Sequence, residues 1–490
     1  MLFLHFLRRL DTVRIGLILC MLIFLAGCPW SKNNKSVETK LPLDGLKLRL
    51  LVVDDAALAE AVRKVEGEWH TQTGATLEVA ETTESAFLAQ EVSLANAAIC
   101  PSYLLGVLAE QQRLTEIPEA LRDDGEENWT EIFELVRHHE TSWGTSTLAV
   151  PFGSPVFVCY YRTDLLKALG KEPPRTWTEY QELAKLLDHR AKLGEKAPPT
   201  DAVWSGTMEP LGPGWGGLVL LARASSGVTH PDNFSTWFDI ETMEPLVESP
   251  PVVHALEQLV EAAEYGPADQ LLADPTEVRT AFWQGACGMA LSWPTADSSL
   301  GKEKIAPLLA GVAELPGSRE HYNVDERRLE ERDNDVEWSV PLLATSGRIG
   351  VIFKGSERPD AAAELLLWLS ALRADPPPAS RSPWTTMFRR SQLSRPGNWV
   401  EAPMSPATAA GYAKQTKATF GREQWTFALR IPGRREYLRA LDEAVAAAVR
   451  GEKTPALALH EAAGQWRAIT KQLGVQRQRV AYLHSLGLEP

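Results

Sequence analysis

Cys28 ends an apolar run, Ile15 to Gly27, directly behind Leu25-Ala26-Gly27, and a thiol at such a position is a candidate for acylation. The sixteen tryptophans are a second chemical resource. Several, among them Trp204, Trp215 and Trp384, fall in loops beside glycine or proline rather than at helical spacing. An indole face gives the C–H groups of a ring-shaped solute an apolar, electron-rich surface. Hydroxyls and carboxylates form a third set: Asp54 and Asp55 after an apolar run, Ser102 and Tyr103 after a second, and Ser154 beside Phe152-Gly153. These can hydrogen-bond the hydroxyls of a ligand, although Asp54 and Asp55 suit a turn or a helix N-cap equally well. The sequence contains no G-x-S-x-G, P-loop or H-E-x-x-H, so no catalytic residue, no metal site and no cofactor is expected. His138-His139 sit in a polar helical segment and read as a surface face.

The elements that must carry these residues begin after an export signal. Arg8, Arg9 and Arg14 precede the apolar run, which is short for a membrane span and ends in small residues, the pattern of a signal peptide over residues 1–27. Leu25-Ala26-Gly27-Cys28 has the form of a bacterial lipobox, so Cys28 is expected to carry lipid, followed by a polar tether to residue 46. Three Arg and one Asp leave with the signal, taking the net charge from −14 to about −16. With no basic patch left, nucleic acid is not an expected partner. Cys100, Cys159 and Cys287 lack CxxC spacing and read as buried, inert thiols.

About 460 mature residues are too many for one core. Lys47 to Val53 predicts a strand, Ala56 to His70 an amphipathic helix with Ala57, Ala61, Val65 and Trp69 at spacing four, and Thr76 to Val79 a second strand. A further strand ends at Pro101 and Tyr103 to Gln112 reads as helix. Such β-α-β order builds a parallel pair whose ligands sit beyond the strands' carboxyl ends, which puts Asp54, Asp55, Ser102 and Tyr103 at one rim. Leu51-Val52-Val53-Asp54-Asp55 imitates a phosphorylation receiver, but the segment 95–101 lacks the further Asp a receiver needs. Glu326 to Asp335, a charged run, reads as a solvated loop.

Four blocks carry a family resemblance. They are Val150 to Leu187 with Pro173-Pro174-Arg175-Thr176-Trp177, Ala281 to Pro294 (AFWQGACGMALSWP), Gly347 to Ile352 with the helix after Pro359, and Arg435 to Lys471. In this order they resemble the sugar-type extracellular solute-binding proteins of family 1, to which maltose-binding protein belongs. Arg162 stands where that family commonly has Asn, and Cys287-Gly288 where it has an Ala pair. The resemblance implies an α/β, two-lobed periplasmic-binding-protein-like fold of class II, with mixed sheets flanked by helices and joined by hinge crossings. Lobe one would be 47–150 plus 345–378, and lobe two 151–344 plus 379–490. It also makes Trp293 the match to a ligand-stacking aromatic, with Trp215, Trp204 and Trp384 as further cleft candidates and Arg389 and Arg390 behind them.

The function so implied is capture of a small ligand, a carbohydrate, in an interlobe cleft for an ABC importer. The expected partners are the importer's permease subunits and a membrane reached through the lipid on Cys28. The protein itself is expected as an exported monomer facing the periplasm or cell exterior. Two rival readings remain: a ligand-sensing or scaffold lipoprotein of the same fold, and a surface glycoside hydrolase using two carboxylates. Replacing Cys28 with Ser is expected to abolish incorporation of labelled lipid, and retained labelling would contradict the lipobox reading.

Overall fold

A computed structural model describes residues 41–89, 95–122, 129–233, 235–296, 308–332 and 338–490. The signal segment, Cys28 and most of the tether lie outside the described residues. Among those described, no helix is long and apolar enough to cross a membrane.

β1 (Lys47–Val53) is apolar on both faces because both are covered. Leu48, Leu50 and Val52 enter one core, while Leu51 and Val53 enter another with Cys100 and Leu104. α1 (Ala56–Thr73) follows. The Asp55 carboxylate accepts from Leu58 N at its start, and Gly74, at φ 79°, closes its end by donating to His70 O. β2 (Thr76–Thr82) runs parallel to β1 from Lys47↔Thr76 to Val53↔Thr82, and β3 (Ala97–Pro101) lies parallel on the other side. β4 (Leu114–Thr115) and β5 (Ala149–Gly153) complete this part of the first sheet.

The chain then builds a second sheet from β6 (Val158–Arg162), β7 (Ser205–Met208), β8 (Cys287–Ser292) and β9 (Ala310–Glu314), in the order β9-β6-β8-β7. β6 is antiparallel to β8 and β9, and β7 is parallel to β8. Its helices are α2 (Trp177–Asp188), α3 (Gly216–Val228), α4 (Pro250–Ala263) and α5 (Pro275–Trp283). Thr176 and Glu179 form a capping box at the start of α2, and Asp274 and Glu277 another on α5. Gly285, at φ 79°, turns α5 into β8.

β10 (Arg348–Phe353) returns to the first sheet, antiparallel to β3, β4 and β5. α6 (Pro359–Ala371) packs on it, and α7 (Pro406–Thr419), α8 (Arg434–Val449), α9 (Pro455–Leu473) and α10 (Val475–Ser485) complete the chain. The expected C-terminal helical pair is therefore followed by a third helix. The charged run is not simply a loop, since Arg328–Glu331 is a strand paired with Glu320–Asn323. His138 is exposed, but His139 is half-buried against the Trp425 ring, and burial lowers its pKa to about 4. Cys100, Cys159 and Cys287 are buried and unbridged, and burial pushes the thiols of Cys100 and Cys287 up to about 12.

Three chain passages between the two sheets are lashed together. Buried Glu140 accepts from Ser154 Oγ and from Ala344 N (2.9 Å). Thr345 Oγ1 donates to Pro155 O (3.1 Å) and Thr386 Oγ1 to Ser154 O (2.8 Å). Gly153, at φ 138°, has no space for a side chain: a Cβ there would lie 2.5 Å from that of Thr385. Gly153→Ala should therefore lower stability by about 1–3 kcal/mol. Urea unfolding is the check, and an unchanged midpoint would contradict this packing.

Candidate functional site

A cavity of about 760 Å³ opens between the carboxyl ends of β1 and β3 and the N-terminal ends of α3 and α8. Asp54 and Tyr103 line it from the first sheet, Trp215 from the loop before α3, and Trp384 from the segment after α6. Trp215 and Trp384 lie with ring centroids 5.9 Å apart and planes within 6° of parallel. The two rings form a stacked aromatic pair on the cavity wall.

The platform is held from behind and from the side. Trp293 is fully buried, packs against both rings at 5.6 and 6.2 Å, and donates its indole N–H to Pro383 O at 3.0 Å. Trp215 occupies the N-cap position of α3 but offers no capping side chain. Asp442 of α8 supplies the missing acceptor, taking Gly214 N and Gly217 N at 2.7 Å each. Burial raises the pKa of Asp442, opposed by those two N–H groups.

Opposite sit paired charges. Tyr103 Oη donates to Glu84 (2.8 Å), Arg435 reaches Glu84 at 3.0 Å, and the Arg434 guanidinium lies 4.0 Å from the centre of the Tyr103 ring. Arg434 donates to Thr345 O at 3.1 Å. Arg348 donates through Nε to Asp55 (2.9 Å), through Nη1 to Ser346 O and through Nη2 to Asp54 O (3.2 Å each). The lining holds four carboxylates, Asp54, Glu84, Glu436 and Asp442, and four guanidinium groups, Arg348, Arg434, Arg435 and Arg439, of which Glu84 and Arg435 form an ion pair. Among the described residues, the Ser346 hydroxyl and Arg434 Nε are buried without a hydrogen-bond partner.

Of the residues expected at the site, the structure brings Asp54, Tyr103, Trp215 and Trp384 to the cavity wall. The others lie elsewhere for identifiable reasons. Asp55 turns inward to cap α1 and pair with Arg348 and Ser382. Ser102 is buried behind Tyr103, and Ser154 is used at the crossing by Glu140. Trp293 forms the second layer under the platform. Trp204 packs on another part of the second core and donates to Leu187 O at 2.9 Å. Arg389 is buried beside Ser370, and Arg390 bonds Thr130 O. Glu84, Ser346, Arg348, Arg434, Arg435 and Asp442 were not anticipated as site residues. Arg348, Arg435 and Asp442 lie inside two of the family-like blocks, which is the sequence signal that points to them.

This architecture matches solved two-lobed solute-binding proteins. An ABC transporter solute-binding protein from Agrobacterium radiobacter K84 in complex with ribitol is similar at a TM-score of 0.63 and 18% identity, over 87% of this chain and 99% of that one. A counterpart from Agrobacterium vitis S4 with bound D-mannitol gives 0.62 and 18%, over 87% and 99%. Maltose-bound MalE3 of T. maritima gives 0.62 and 18%, over 86% and 99%. A search of curated proteins finds no match to the sequence. Residues 97–372 match the model of the bacterial extracellular solute-binding proteins, and the chain belongs to that family. Members of an extracellular family are exported, and this family and these neighbours are binding proteins rather than enzymes.

Asp442→Ala would strip the start of α3 of its only carboxylate acceptor. A loss of about 1–2 kcal/mol is expected, together with altered fluorescence from Trp215. Unfolding midpoints and emission spectra test this, and wild-type values in both would remove Asp442 from the support of the platform.

Proposed function

We propose that the protein captures a small neutral polyhydroxy solute, a sugar or polyol, in the 760 Å³ cavity for delivery to an ABC importer. The stacked Trp215–Trp384 pair, lining one cavity together with carboxylates and guanidinium groups, is the observation that carries this reading. The rings would cover the apolar C–H face of the solute, while Asp54, Ser346 and Arg434 would bond its hydroxyls. The bound ribitol and D-mannitol of the similar structures support the same ligand class. In this reading the first sheet, with residues 47–150 and 345–378, is one lobe core. The second, with 151–344 and 379–490, is the other. The lobes would close on ligand about the crossings at 153–158 and 343–348, and the closed form would engage the permease. Cys28 would hold the exported protein to its membrane by lipid. Binding without chemistry is part of the proposal.

A thermal-shift screen of the purified protein against sugars, polyols, amino acids and phosphorylated solutes tests the reading. A ligand at 100 times its dissociation constant should add about 2.7 kcal/mol of stability. Trp215→Ala should then weaken binding at least tenfold, about 1.4 kcal/mol. A shift with an amino acid or phosphorylated solute, and none with sugars or polyols, would overturn the ligand class. Unchanged affinity in the variant would remove the platform from the site.

A further inference from the structure

Away from the cavity, three side chains from distant parts of the sequence converge on one point. His230 follows the last turn of α3, while His321 and Glu330 face each other across the hairpin Glu320–Asn323/Arg328–Glu331. One donor atom from each lies within 4.8 Å of the others. The two imidazole rings are 4.4 Å apart at their centroids, and His230 Nε2 is 3.1 Å from Glu330 Oε2. Both histidines are buried, and His321 Nδ1 has no hydrogen-bond partner among the described residues.

We propose that His230, His321 and Glu330 bind a divalent transition metal of the zinc class, clipping the hairpin to the end of α3. Two imidazole nitrogens and one carboxylate oxygen are donors suited to zinc, and three protein ligands leave a fourth position for water. Ligand atoms on a tetrahedral ion with bonds of about 2.0–2.1 Å stand about 3.3 Å apart, so the observed trio needs only a modest closing. The outer partners are present: Glu330 Oε1 accepts from Asn323 (3.2 Å) and Arg328 (3.1 Å), which orients its other oxygen. Without metal, His230 Nδ1 accepts from Asp232 N at 3.1 Å, so Nε2 carries the proton and donates it to Glu330. Coordination through Nε2 would move that proton to Nδ1, which would give up the Asp232 N–H bond and could donate instead to Asp232 Oδ2, now 3.9 Å away. No net proton is released. None of the three residues lines the 760 Å³ cavity, so the ion would sit apart from the ligand site.

Metal-stripped protein titrated with zinc against a chromophoric chelator should take up one equivalent that is at least tenfold weaker in His321→Ala and in Glu330→Gln. The Glu330→Gln change keeps the shape of the side chain and serves as the deciding variant if His321→Ala unfolds. Its unfolding midpoint without zinc should match the wild type. No uptake by the wild type, or zinc affinity unchanged in Glu330→Gln, would overturn the site.

Discussion

The arrangement of the cleft depends on one buried ion pair, Arg348 with Asp55, whose side chains are 4% and 1% exposed. Two charges withdrawn from water cost several kcal/mol each unless their remaining donors and acceptors are occupied. Here each nitrogen of the guanidinium has an acceptor: Asp55, Ser346 O and Asp54 O. Asp55 in turn caps α1 through one oxygen and receives Arg348 and Ser382 through the other. The end of β1, the start of α1, the start of β10 and the loop carrying Trp384 are thereby fixed to one node. An irregularity in the β5–β10 register between Arg348 and Ile349 is the local device that can aim the guanidinium there.

From that node the cavity acquires two unlike walls. Trp384 stands two residues after Ser382 and takes its position from it, with its own N–H bonded to Ser382 Oγ at 3.1 Å and Arg348 lying 5.7 Å from its ring. Trp215 is set independently by Asp442, from a helix more than 200 residues further on. The aromatic pair is thus assembled from two supports that do not touch, and Trp293 fills the space beneath both rings. A platform built this way has its rotamers fixed before any ligand arrives, which limits the ordering cost of binding.

The strands and helices were legible because their periodicities are strong. Leu48-x-Leu50-x-Val52 gives β1, the spacing of Ala57, Ala61, Val65 and Trp69 gives α1, and the Thr176-x-x-Glu179 box starts α2. Residues at strand ends were legible as a group but not singly. The rule that ligands sit at carboxyl ends selected Asp54 and Tyr103 correctly as cavity-lining. It could not show that Asp55, one residue on, would turn inward as cap and ion-pair partner. Tryptophans in loops posed the same problem: Trp204 and Trp215 both stand beside glycine, yet only Trp215 has a partner like Asp442 to hold it at the wall. The His230–His321–Glu330 cluster left no local spacing at all, because α3 and the hairpin meet only through tertiary packing. The charged run that contains Glu330 looked like solvated loop because its alternation with Arg328 hides a strand.

The way the cavity's charges are satisfied argues for the kind of solute it suits. Glu84 is held by Tyr103 and Arg435, Asp442 by two backbone N–H groups, and Arg348 by three acceptors. A charged ligand that displaced the buried Arg348–Asp55 pair would leave one member unpaired, at about 3–5 kcal/mol. A neutral hydroxyl makes no such demand, because it both donates and accepts. It can share a carboxylate's spare lone pair, and it can supply partners for the Ser346 hydroxyl and Arg434 Nε. An unpartnered buried group costs about 1–3 kcal/mol, so the gain is concentrated where a hydroxyl-rich solute would lie against the tryptophan face. In the proposed reading, selectivity for neutral, hydroxylated ligands would rest on these occupied contacts together rather than on any single recognition residue.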